Sequence, residues 1–198
     1  MLKFVKITFN MDPVFNKFFS RIDSFNPNQK RKKRLENIAS VVNENLNKTR
    51  SIVFLCTHNS RRSQLCEVWG KVFAKIYRKK INISSAGTFK TEVHNQVYES
   101  IIKCGLVVND KKEIFFDKKK FKLNSKTIDS ITMKNFIAVM TCSDAEKSCP
   151  HDPRSIRNIK MFFDDPKIYD ETNKVSREYL KTTTYIAEEL NYIFKNIN

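Results

Sequence analysis

From Ser51 to Ser63 the chain reads SIVFLCTHNSRRS, and that order of residues leaves few folds open. The apolar run Ile52-Val53-Phe54-Leu55 is short and bounded by polar residues, so it predicts a buried strand. It stops at Cys56, a polar loop follows, and Leu65, Trp69, Val72, Phe73 and Ile76 then recur at helical spacing. A strand that passes through a tight loop straight into a helix is the first half of a β-α-β unit, which calls for a parallel sheet. Such a loop turns successive backbone N–H groups inward at the helix N-terminus, where the dipole adds positive potential. An oxyanion fits there, bound bidentately by Arg62, and the same field favours the thiolate of Cys56. The plainer alternative is a core cysteine that merely ends a buried strand. The position of Cys-x5-Arg-Ser between strand and helix weighs against it.

The alternation continues downstream. Ile81–Ser85 reads as a second strand closed by Ala86-Gly87, and a helix from about Glu92 to Cys104 stops at Gly105. From Leu106 to Lys134 short apolar pieces lie among many lysines and define no more than one or two short strands or turns. Asn135–Cys142 is a buried strand ending in another cysteine, followed by a polar loop, Ser143 to Arg154, that carries Cys149-Pro150 and His151. Ile159–Phe163 is a further short strand ending at Asp164-Asp165-Pro166, and a last helix, about Ser176 to Ile197, buries Leu180, Ile186, Leu190, Ile193, Phe194 and Ile197. The expected fold is α/β, a parallel sheet flanked by helices on both faces. Active sites in such sheets lie beyond the carboxyl ends of the strands, which would gather Cys56, Cys142 and Asp165 on one edge.

Residues 1–48 stand before this unit as an N-terminal helical extension to a domain of residues 49–198. Pro13 after Asp12 suits a helix start, with Val14, Phe15, Phe18 and Phe19 following. A second helix from about Gln29 to Leu46 carries Leu35, Ile38, Val42 and Leu46 on one face. That stripe needs a partner surface, either the main domain or a second copy, which leaves room for a homodimer through these helices. The basic run Lys30–Arg34 reads as a solvated helix face, since no aromatics are interleaved with it.

Net charge is +16. Nucleic acid, an anionic membrane or a small oxyanion would each answer to it, and a chain rich in Lys and Asn with only 3 Gly has a compositional cause for it as well. The lack of basic–aromatic interleaving argues against a nucleic-acid groove. No run approaches a membrane span, and the start MLKFVKITFNM lacks the apolar core of a secretory signal, so the cytoplasm is expected. In that compartment five cysteines without framework spacing are free or catalytic thiols, with Cys66 and Cys104 at core-facing helical positions.

The loop Cys56-Thr57-His58-Asn59-Ser60-Arg61-Arg62-Ser63 resembles the signature loop of low-molecular-weight protein tyrosine phosphatases and their relatives, the thioredoxin-coupled arsenate reductases. Thr141–Pro150 resembles the redox segment of the reductase branch, Phe163-Asp164-Asp165-Pro166 resembles its acid loop, and Ser84-Ser85-Ala86-Gly87-Thr88 is similar to the strand after the first helix in both. The resemblance implies that Cys56 is the nucleophile, Arg62 the oxyanion clamp, Ser63 a thiolate partner, Asn59 a loop brace and Asp165 the general acid. In the reductase branch it further implies an arsenate adduct on Cys56, attack by Cys142, transfer of the disulfide to Cys149, and reduction by thioredoxin. The alternative is a tyrosine phosphatase working through a cysteinyl-phosphate on Cys56, with Asp165 as acid and base.

Two positions depart from the family. His58 stands where Gly is usual and Arg61 where Cys is usual, so any positive φ in the loop falls to Asn59 or His58. Arg61 either adds charge beside the anion or points to solvent. Asn59, Glu67 and Ser85 match three ligands of a potassium ion found in some reductases, but the remaining acidic ligand has no counterpart, so neither metal nor cofactor is expected. Zinc on Cys142, Cys149 and His151 lacks the spacing of a structural module.

Overall fold

The computed structural model describes residues 12–143 and 152–198. Two helices open it, α1 (Pro13–Asp23) and α2 (Gln29–Asn45). Then come β1 (Ser51–Cys56), α3 (Arg62–Ile76), β2 (Asn82–Gly87) and α4 (Asn95–Lys103). Three short strands, β3 (Val107–Val108), β4 (Glu113–Phe116) and β5 (Lys119–Lys122), lead to β6 (Phe136–Met140), β7 (Ser155–Lys160) and the closing helix α5 (Val175–Lys195).

β1, β2, β6 and β7 form a parallel sheet in the order β2-β1-β6-β7. β1 is one of its two inner strands and every residue of it is buried, as the unbroken apolar run requires. Alternate residues divide between the faces. Ile52 and Phe54, with Ile137 and Val139 beside them, join the core built with α3, α4 and α5. Val53, Leu55 and Cys56 face a smaller cluster with Ala138, Met140 and Cys142, covered by Ile128 and Ile131.

Several boundaries shift from the sequence reading. β7 begins at Ser155 instead of Ile159, because an edge strand needs only one buried side, and Ile159 supplies it. The helix after the Cys56 loop, expected from about Ser60 to Lys79, runs from Arg62 to Ile76, because Ser60 and Arg61 complete the loop. The region 106–134 holds an antiparallel sheet β3-β4-β5. Its tight turn is made by Asp117 and Lys118, both at positive φ (43° and 62°), as a two-residue hairpin turn of the I′ kind demands.

The N-terminal helices pack on α5, and Phe15, Phe18, Ile22, Leu35, Ile38, Ala39 and Val42 share one core with the sheet. Their apolar stripe is therefore spent inside the chain. Phe18 stacks on Trp69 of α3 at 5.2 Å. The turn after α4 holds Gly105, φ +88°, where a Cβ would lie 2.2 Å from the backbone nitrogen of Phe15, so α1 rests directly on that turn. The basic run of α2 is only partly solvated. Arg31 donates to the buried carboxylate of Glu189 (2.9 Å) and lies between the rings of Phe25 and Tyr185, 4.3 and 4.0 Å from their centroids. Arg34 pairs with the same carboxylate.

Candidate active site

β1 delivers Cys56 to the carboxyl edge of the sheet, and residues 57–61 curl back to the start of α3. The thiol faces a cavity of about 260 Å³ lined by Cys56, Thr57, His58, Ser60, Arg61, Arg62, Asp165 and Lys167. Asn59 is the loop residue at positive φ, 46°, which resolves the alternative with His58 in favour of the side chain that tolerates that conformation best.

That conformation aims two donors at the sulfur. The backbone N–H of Asn59 donates to Cys56 Sγ at 3.0 Å, and Ser63 Oγ lies 2.9 Å from it. Asn59 Nδ2 donates to both Ser63 Oγ (2.9 Å) and Ser85 Oγ (2.8 Å). Ser63 therefore accepts from Asn59 and keeps its own proton for the sulfur, so that both of these groups donate to it. The amide cannot flip, because its Oδ1 accepts from the backbone N–H of Lys126 (2.9 Å) and from Gln64 Nε2 (3.0 Å). Gly87, at the end of β2, supports the loop from beneath: a Cβ there would stand 2.7 Å from Thr57 O and 2.8 Å from Asn59 N. The sequence marks Gly87 only as the end of a strand, and its scarcity as one of 3 Gly is the signal that could have promoted it.

Ser85 in turn donates to Glu67 Oε2 at 2.6 Å, and that buried carboxylate is neutralised by Lys71 Nζ (2.5 Å) and Lys126 Nζ (3.7 Å). These residues do not fit the potassium ion that the family resemblance raises. Asn59 presents an N–H₂ to Ser85, and the Glu67 oxygens are engaged by ammonium and hydroxyl groups. Among the described residues no group of three or more His, Cys, Asp or Glu is arranged to hold a metal.

Asp165 reaches the cavity from the same carboxyl edge, past the edge strand β7. Its Oδ2 accepts from Arg62 Nη2 at 2.5 Å, while Arg62 Nη1 donates to Phe163 O at 3.1 Å. Asp165 Oδ1 caps the following 3-10 turn, Pro166–Tyr169, through Lys167 N (3.1 Å). Asp164 is exposed and does not line the cavity.

Arg61 lines the cavity, but its side chain is paired and does not project into solvent. Its guanidinium turns to Asp170, and its Nε donates to the hydroxyl of Tyr179 at 2.6 Å. Burial works against its charge, but Tyr179 and Asp170 more than offset this and hold it firmly protonated. His94, which caps α4, stacks on the Tyr179 ring at 5.4 Å. Its Nε2 lies 3.7 Å from Asp170, and burial, followed by Arg61, holds its basicity below the ordinary range.

Cys142, just past β6, is buried in the same cluster as Cys56, with its sulfur 3.8 Å from Thr57 Oγ1. Cys149 and His151 lie outside the described residues, so the zinc alternative lies there too. Cys66 and Cys104 are buried core thiols. Burial pushes Cys66 well above its ordinary range and Cys104 up to about 12.

A strand-terminal thiol, two donors on its sulfur, a loop closed by arginine and a carboxylate across the mouth define a thiol-dependent oxyanion enzyme. Residues 51–198 match the family model described as low molecular weight phosphotyrosine protein phosphatase. The chain is 31% identical over 135 residues to arsenate reductase 2 of Staphylococcus epidermidis, covering 67% of this chain and 92% of that protein. It is 33% identical over 132 residues to an arsenate reductase of Brevibacillus brevis, covering 65% and 87%. Among solved structures, a mutant of YwlE from Bacillus subtilis superposes with a TM-score of 0.52 at 16% identity, covering 74% of this chain and 97% of that one. A low molecular weight phosphotyrosine phosphatase from Vibrio cholerae gives 0.52 at 16%, covering 73% and 94%. The chain belongs to the low molecular weight phosphotyrosine protein phosphatase family. No helix among the described residues is long and apolar enough to cross a membrane.

Proposed function

We propose that the chain reduces arsenate in the cytoplasm. The Cys56 thiolate attacks As(V), and Asp165 protonates the departing oxygen while Arg62 and the loop N–H groups hold the remaining oxygens. Cys142 then attacks Cys56 Sγ. The new S–S bond forms as the As–S bond breaks and its electron pair leaves with arsenic, so As(V) becomes arsenite and two thiols become one disulfide. Cys149 takes over the bond to Cys142 and frees Cys56, and the dithiol of thioredoxin reduces what remains. The observation that carries this reading is the thiol of Cys142, packed in one cluster with Cys56 and touching the loop through Thr57. Hydrolysis of a phosphate ester requires no second thiol. The identity to arsenate reductases supports it as well.

A second reading keeps Cys56, Arg62 and Asp165 and hydrolyses a cysteinyl-phosphate, as a tyrosine phosphatase. The Asp165–Arg62 pair at the cavity mouth supports it equally. Cys142→Ser separates the two. On the first reading it abolishes thioredoxin-coupled arsenate turnover and leaves aryl phosphate hydrolysis intact; survival of arsenate reduction removes the relay. The N-terminal helices we read as a brace on α5, part of the same folding unit, a reading supported by their shared core.

A further inference from the structure

We propose that Arg61 is a positioning residue that holds the acid-bearing segment over the oxyanion loop, acting through Asp170 without contact to the oxyanion. This rests on the reading of Asp165 as general acid. Two consecutive arginines leave the loop in different directions. Arg62 reaches Asp165, which caps the start of the turn Pro166–Tyr169, and Arg61 reaches Asp170, which caps its end. The turn is thus tied at both ends to adjacent residues of the loop.

The two ties are not equivalent. Arg62 is also the anion clamp, so an incoming oxyanion competes with Asp165 for its N–H groups. When substrate binds, the Asp165 tie is given up at the moment the acid must stay in place. Arg61 lines the same cavity, but its tie is held by more than one bond. It is closed into a ring, in which Arg61 Nε donates to Tyr179 OH (2.6 Å), Tyr179 OH donates to Asp170 Oδ1 (2.6 Å), and Arg61 Nη2 pairs with Asp170 Oδ2. Tyr179 is fully buried in α5, and His94 stacks on its ring, so the ring is anchored to two helices of the core. A cysteine at position 61 could make none of these bonds. The departure from the family pattern at this position thus has a specific consequence: the acid segment is fastened to the loop by a second charge pair, separate from that of the Arg62 clamp.

The test compares Arg61→Met, Asp170→Asn and Asp165→Asn on two aryl phosphates, p-nitrophenyl phosphate with its good leaving group and phenyl phosphate with its poor one. Asp165→Asn should lose about 100-fold or more on phenyl phosphate and far less on p-nitrophenyl phosphate, the mark of a lost general acid. Arg61→Met and Asp170→Asn should show the same selective loss, about tenfold to 100-fold, with inhibition by inorganic phosphate unchanged within about threefold. Arg61→Met should add nothing once Asp165 is already Asn. Weaker phosphate inhibition with no change in leaving-group dependence makes Arg61 an oxyanion ligand and overturns the proposal. No leaving-group effect in Asp165→Asn overturns the acid assignment instead, and the two failures are thereby distinguished. Amide exchange of residues 163–170 in saturating inorganic phosphate gives a readout independent of turnover. It should quicken in Asp170→Asn, or in Arg61→Lys if Arg61→Met does not fold, and unchanged exchange in the folded variants counts against the tie.

Discussion

Replacing Gly87 with Ala tests whether the loop is held from beneath as tightly as the geometry implies. The added methyl would meet Thr57 O at 2.7 Å, Asn59 N at 2.8 Å and Cys56 O at 3.0 Å, all of them backbone atoms of the loop. No rotamer change relieves this, so the loop must rise by roughly 0.5–1 Å. Overpacking of this kind costs about 1–3 kcal/mol, or a melting point lower by roughly 2–12 °C in a chain of this size. The shift falls on Asn59 N, which donates to the Cys56 sulfur at 3.0 Å. A misplacement near 1 Å at the reacting atom costs about 100-fold in rate, equivalent to about 2.7 kcal/mol of transition-state stabilisation. Gly70→Ala is the control: its Cβ meets Ile83 Cγ2 at 2.9 Å and Phe54 Cε2 at 3.1 Å, which are side-chain atoms remote from the loop. The assay is kcat/KM on p-nitrophenyl phosphate beside a thermal melt for each variant. Gly87→Ala should lose both rate and stability, Gly70→Ala stability alone. A Gly87→Ala protein with kcat/KM within threefold of wild type (roughly 0.6 kcal/mol) refutes the account of the loop floor.

Other outcomes follow from the same contacts. Arg31→Ala strands the buried Glu189 carboxylate with Arg34 as its remaining cation, and should cost about 3 kcal/mol in urea unfolding; a loss below about 1 kcal/mol would show that α2 is not clamped to α5. In native protein at pH 8, iodoacetamide should label Cys56 and spare Cys104, whose thiol burial holds at about 12, with Cys104 labelled only after unfolding. Labelling of Cys104 in the native protein contradicts its placement in the core. Burial and Arg61 favour neutral His94 in the fold. Its contribution to stability is therefore complete above its ordinary value near 6.5 and declines as pH falls below that. His94→Asn, which keeps the helix cap, should flatten the fall in melting temperature between pH 7 and pH 5; an unchanged slope refutes the assignment.

How much of this was legible in the chain depended on whether the signal was local. The strand-loop-helix at 51–63 was readable because apolar run, polar loop and helical spacing change within a dozen residues. The hairpin at 113–122 was not, because Asp117 and Lys118 adopt positive φ without the Asn-Gly or Asp-Gly pair that announces such turns. The partners of Arg61 were out of reach for another reason. Tyr179 and Asp170 lie more than a hundred residues away on α5 and beside the turn before it, and only the folded chain brings them to the loop. The same holds for Arg31, which a local reading takes for solvated charge and the fold seats between two rings above a buried carboxylate.

The central claim, that Cys56 and Cys142 act on one oxyanion in sequence, is tested most directly by mass. Reduced protein treated with arsenate and no other reductant should lose two hydrogens, and peptide mapping should find Cys142 joined to Cys149 with Cys56 a free thiol. In Cys149→Ser the bond should be trapped between Cys56 and Cys142. An unchanged mass, or a disulfide that engages Cys66 or Cys104 instead, contradicts the account.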